Sequence, residues 1–126
     1  MPPRRMTIAS AMKIGSLLPD VERTTTWGAP TLKVRGKMMA CKAINKAAEP
    51  NTLVVCMPIA DRDELIAADA ETYYQKPHYE DGPCVLVRLS QIQPDALRDL
   101  LQMGWEFARS RAKRKARARP SKRGHS

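Results

Sequence analysis

Residues 31–42 read Thr31-Leu32-Lys33-Val34-Arg35-Gly36-Lys37-Met38-Met39-Ala40-Cys41-Lys42, and this stretch decides the fold. Polar and apolar residues alternate through Val34, the two-residue period of a half-buried strand. Arg35-Gly36 then forms a tight turn, glycine being the residue that takes positive φ without strain. Lys37–Lys42 is the return strand of a β-hairpin. A two-residue turn sets Leu32 opposite Met39 and leaves Lys33, with Lys42, on the other face.

Upstream of the hairpin, residues 7–18 place Ile8, Ala11, Met12, Leu17 and Leu18 at near-helical spacing, and Pro19 ends the pattern. Residues 20–30 are polar and rich in turn formers, and read as irregular. Downstream, Leu53–Met57 is apolar without alternation, as a strand covered on both faces would be. Asp61-Arg62-Asp63-Glu64 has the spacing of a capping box, which predicts a short helix through Ala68. Tyr73-Tyr74 is a brief extended segment, 78–83 a turn, and Cys84–Leu89 a strand. Pro94 and Asp95 open a last helix with Leu97, Leu100, Leu101, Gly104, Trp105 and Ala108 on one stripe. The order α-β-β-β-α-β-β-α predicts one α+β domain over residues 1–108, a mostly antiparallel sheet flanked by helices.

Charge divides the chain more sharply than hydropathy does. Residues 1–108 hold 13 Lys/Arg and 13 Asp/Glu, so the net charge of +9 lies wholly in residues 109–126. Those carry Arg109, Arg111, Lys113, Arg114, Lys115, Arg117, Arg119, Lys122 and Arg123 with no acid. A neutral domain with a polycationic tail points to a polyanionic partner. Ala, Lys and Arg favour helix, whereas like charges at i, i+4 oppose it, so the tail reads as disordered or frayed-helical.

Several classes of function find no support. No apolar run approaches the ~18–20 residues of a membrane helix. Lys13, Gly15 and Pro19 interrupt any secretory core, so a cytoplasmic protein is expected, with monomer as its default state. The cysteines, Cys41, Cys56 and Cys84, lie in apolar segments and read as reduced core thiols. Their gaps of 15 and 28 residues, with two histidines in the chain, do not suit a metal site. No phosphate-binding glycine loop is present, and no cofactor is expected.

Three sets of residues remain as candidates. His78, between Pro77 and Tyr79 and ahead of Glu80 and Asp81, is the one acid/base group, or else a loop-holding histidine. Trp27 and Trp105 read as core anchors, though a loop tryptophan also suits stacking; Trp27, His78 and Tyr79 form a candidate pocket. Lys33, Arg35, Lys37 and Lys42 would make the hairpin a cationic ribbon for a DNA groove, or simply solubilise exposed strands.

The motifs Leu18-Pro19-Asp20-Val21-Glu22, Trp27-Gly28-Ala29-Pro30, Lys33-Val34-Arg35-Gly36-Lys37, Tyr73-Tyr74, Pro77-His78-Tyr79 and Val85–Leu89, in this order, resemble the MmcQ/YjbR family from Ile8 to Phe107. The resemblance implies helices on a curved antiparallel sheet, a DNA-binding role with a double-wing arrangement, and no enzymatic activity. Lys33–Lys42 would be one wing and Tyr73–Leu89 would contribute the other; the basic tail is an extension beyond the family's domain. The leading expectation is a non-enzymatic DNA-binding protein, with RNA as a competing polyanion. A protein-interaction module on the open sheet face, or a small-molecule binder centred on His78, are the alternatives.

Overall fold

The computed structural model describes residues 6–44, 48–80 and 82–124, and the side chains of His78, Glu80 and 113–124 lie outside the description. Its elements are α1 (Ile8–Gly15), β1 (Val21–Thr26), β2 (Ala29–Val34), β3 (Lys37–Lys42), β4 (Thr52–Cys56), α2 (Ile59–Ala68), β5 (Tyr73–Tyr74), α3 (Pro77–Glu80), β6 (Cys84–Arg88) and α4 (Pro94–Gly124). The strands form one sheet in the order β1-β2-β3-β4-β6-β5, antiparallel at every step. The expected α+β class is therefore found, with β1 and the one-turn α3 added.

β1 corrects the irregular reading of residues 20–30. Its three consecutive threonines are β-branched and suit a pleated, half-exposed edge. It pairs with β2 from Val21↔Val34 to Thr26↔Ala29. The connecting residues Trp27 and Gly28 have φ of 53° and 79°. Positive φ at both central residues is the hairpin turn whose twist matches its strands. Arg35 and Gly36 repeat it at 51° and 82°.

The second hairpin differs in register from a simple two-residue turn. Lys33 faces Met38, but Leu32 faces Ala40, so Met39 is an extra residue in a β-bulge. Met39 and Ala40 are both fully buried as a result.

Two helix ends also differ from expectation. α1 stops at Gly15, before Leu18; Thr7 caps its start by accepting a 3.1 Å hydrogen bond from the Ser10 amide. α2 begins at Ile59 behind Pro58, with no side-chain capping bond. Asp61 sits inside the first turn, where its charge suits the helix dipole, so no capping box starts there.

One sheet face packs Leu32, Val34, Met39, Leu53, Val55, Val85 and Val87 against α1 and α4. The alternate residues Val54 and Leu86, with Tyr74 and Cys84, form a smaller cluster on the opposite face. β4 is thus buried on both sides, as its unbroken apolar run implies. α4 lies directly against the sheet at Gly104, where a Cβ would stand 2.8 Å from the Met39 carbonyl oxygen and 2.9 Å from Val55 Cγ1. Ala108 is fully buried; beyond it the helical backbone continues to Gly124, so the junction at 108/109 lies within one helix. Among the described residues, no helix is long and apolar enough to cross a membrane.

Candidate nucleic-acid interface

The two hairpin turns stand at opposite ends of β2, about 20 Å apart for six strand residues. Lys33, Arg35 and Lys37 lie at the Arg35–Gly36 end. Lys42, paired with Leu53, lies at the other end, near Trp27. The four cations expected on one ribbon are therefore divided three and one, and the Met39 bulge sets Lys42 on the face of Leu53, opposite the face of Lys33 on which it was expected. Nor does the ribbon stand free, because β1 flanks β2 and β4 flanks β3. Acids temper its charge: Arg35 Nη2 is 3.2 Å from Asp20 Oδ2, and Glu22 is the cross-strand partner of Lys33. The Arg35–Asp20 pair is half-exposed, so its mutual attraction is small while its field on a distant anion is reduced.

α4 leaves the body at the Arg35–Gly36 end. Trp105 Nε1 donates to the Pro19 carbonyl, beside Asp20. One turn further, Phe107 and Ser110 share a shallow cavity with Pro58 and Asp61, which follow the end of β4. Arg109 stacks on the Trp105 ring at 4.7 Å and Arg111 on Phe107 at 5.4 Å. Such contacts hold the guanidinium stems against the helix while the charges stay hydrated. Lys113, Arg114, Lys115, Arg117 and Arg119 continue the same helical backbone, and their side chains lie outside the described residues.

At the far end of β2, Trp27 overturns its reading as a core anchor: its side chain is 89% exposed on the turn. The turn geometry explains this, since a residue at the apex of a two-residue hairpin lies beyond the packed strands. Trp27 lines a cavity of about 500 Å³ with Met38, Cys41, Lys42, Ala43, Ile44, Val54 and Tyr79. Two of the three candidate pocket residues, Trp27 and Tyr79, are thus brought together; the His78 side chain lies outside the described residues. Met38, Ile44 and Val54 were not singled out by sequence, although strand alternation from Lys33 and Cys41 marks this face. Trp105 is partly buried against the main core, in keeping with its place on the α4 stripe.

Cys56 and Cys84 are buried as core thiols, whereas Cys41 is half-buried and lines the cavity. Burial pushes Cys41 up to about 11 and Cys56 up to about 12, and raises Cys84 as well. All three are free cysteines. Among the described residues, no group of three or more His, Cys, Asp or Glu is arranged to hold a metal ion. Arg88, on the second candidate wing, is occupied structurally. It makes a two-pronged pair with Glu49 at 2.9 and 2.6 Å, donates to the carbonyls of Ala70 and Glu71, and stacks on Tyr74 at 4.1 Å.

This helix-backed antiparallel sheet defines a small α+β domain. Residues 17–107 match the YjbR family, and the chain belongs to it. No curated protein and no solved structure matches the chain.

Proposed function

We propose that this protein is a non-enzymatic DNA-binding protein that grips the phosphate backbone with the basic continuation of α4, assisted by the Arg35–Gly36 end of the sheet. One observation carries the reading. The entire net charge of +9 lies in residues 109–126, and α4 carries its helical backbone through this segment to Gly124. Residues 109–124 extend about 24 Å at ~1.5 Å per residue. A helix fits the major groove, and each phosphate neutralised releases counterions. Lys33, Arg35 and Lys37 stand at the end from which this helix departs, so hairpin and helix face the same region of a bound polyanion. Phosphate contacts carry no sequence information, so binding is largely sequence-independent.

The test replaces Lys113, Arg114, Lys115, Arg117 and Arg119 together by Gln, a good helix former. With all five engaged, the log–log salt slope on duplex DNA becomes shallower by about 4.5 at ~0.9 per contact. An unchanged slope and affinity would remove α4 from the interface.

A further inference from the structure

We infer that the cavity beside Trp27 is a stacking site for an unpaired nucleobase. This inference rests on the nucleic-acid reading above and deepens it, because the α4 extension grips any backbone whereas this site requires a base free of its duplex.

Trp27 occupies the apex of the first hairpin with φ of 53°, a conformation that is costly for a large L-residue. The same apex exposes 89% of its surface. An indole at such a position gains little from the fold and offers its face to an outside partner. Tyr79 supplies a second aromatic wall, and Met38, Ala43, Ile44 and Val54 an apolar floor and rim. Ile44 is itself 55% exposed, so the apolar surface continues out of the cavity.

The charge around the cavity permits an anionic occupant. Lys42 is exposed where β3 ends beside the cavity, with its pairing to Leu53 setting it on the helix-covered side, and no carboxylate is found among the described residues lining the cavity. Lys33 faces Met38 across the hairpin and so shares the cavity's side of the sheet, with Glu22 as its other cross-strand partner. Aromatic faces beside lysines hold single-stranded nucleic acid by stacking plus phosphate neutralisation, with little sequence preference. A base within a duplex cannot reach between Trp27 and Tyr79 without leaving its stack. The two ends of β2 are about 20 Å apart, a distance six nucleotides cover even at the duplex rise of ~3.4 Å each. A 12-nucleotide single strand can therefore engage both.

The experiment uses the full chain carrying Trp105→Phe, which leaves Trp27 as the sole indole. It is titrated with a 12-nucleotide oligothymidylate and with a 12-base-pair duplex at moderate salt. Stacking predicts saturable quenching of Trp27 by the single strand and little quenching by the duplex, although both bind. Trp27→Asn removes the ring but suits the positive-φ position, so the turn is retained. It is expected to weaken single-strand binding by at least about fivefold, the low end for losing one stacked base, and to leave duplex affinity unchanged. Equal quenching by both oligonucleotides, or full single-strand affinity in Trp27→Asn, overturns the stacking site while leaving nucleic-acid binding intact. Failure of the unsubstituted chain to bind either oligonucleotide overturns the function proposed above and this site with it.

Discussion

Trp105 Nε1 donates a 2.8 Å hydrogen bond to the carbonyl oxygen of Pro19, tying α4 to the turn that feeds β1. The bond joins segments 86 residues apart in sequence. It sets where α4 crosses the end of the sheet, and hence where residues 109–124 leave the body. Trp105→Phe keeps the ring's packing and removes the donor. The Pro19 carbonyl remains open to water, so the expected loss is about 0.5–1.5 kcal/mol in urea unfolding. No change in stability would mean the bond contributes nothing to anchoring the helix.

Gly104 sets the depth of the same helix. A methyl group there would press on the Met39 carbonyl oxygen and on Val55 Cγ1, neither of which can swing away freely. Although alanine is the better helix former, Gly104→Ala should destabilise by about 1–3 kcal/mol, the usual penalty for overpacking. A stabilised variant would show that α4 can lift from the sheet at little cost.

Trp27→Asn should act on stability in the opposite direction from most substitutions. Asn-Gly is the favoured pair for a two-residue turn with positive φ at both centres. Relief of the left-handed strain predicts a gain of roughly 0.5–1 kcal/mol. A loss would indicate that the indole packs usefully in the free protein.

Glu49 gives the fold a defined acid sensitivity. Hydrogen bonds from Arg88 hold its carboxyl below the ordinary value of 4.5. A carboxyl depressed in the folded state stabilises above its unfolded pKa, and that stabilisation disappears as pH falls through the folded pKa. The stability gap between the parent and Glu49→Gln should therefore be full at neutral pH and shrink below about pH 4.5. Urea midpoints across pH 2–7 check this, and a pH-independent gap would contradict it.

Much of the architecture is legible in the residues, and the exceptions have physical causes. Arg35-Gly36, the apolar run of β4 and the stripe of α4 each declare themselves, because local periodicity and core burial agree there. β1 does not. As an edge strand it needs no buried alternation, and its turn uses Trp27, a residue rarely found at positive φ. The Met39 bulge is equally silent, since it depends on how β3 meets β2, β4 and α4 together. The same limits apply to the candidate site. Cationic residues can be named from the chain, but β2 separates Lys42 from Lys33, Arg35 and Lys37, and tertiary pairing with Asp20 tempers Arg35. The cavity beside Trp27 takes its lining from β3, β4 and α3 and the segment after β3, a gathering that spacing alone does not reveal.

Binding of the intact chain to nucleic acid through its basic helix is the central claim. Fluorescence anisotropy of a labelled duplex, titrated with the full chain over a series of salt concentrations, tests this most directly. Six engaged cations predict affinity that falls with a log–log slope of about −5. No association at the lowest salt, or an affinity indifferent to salt, would contradict it.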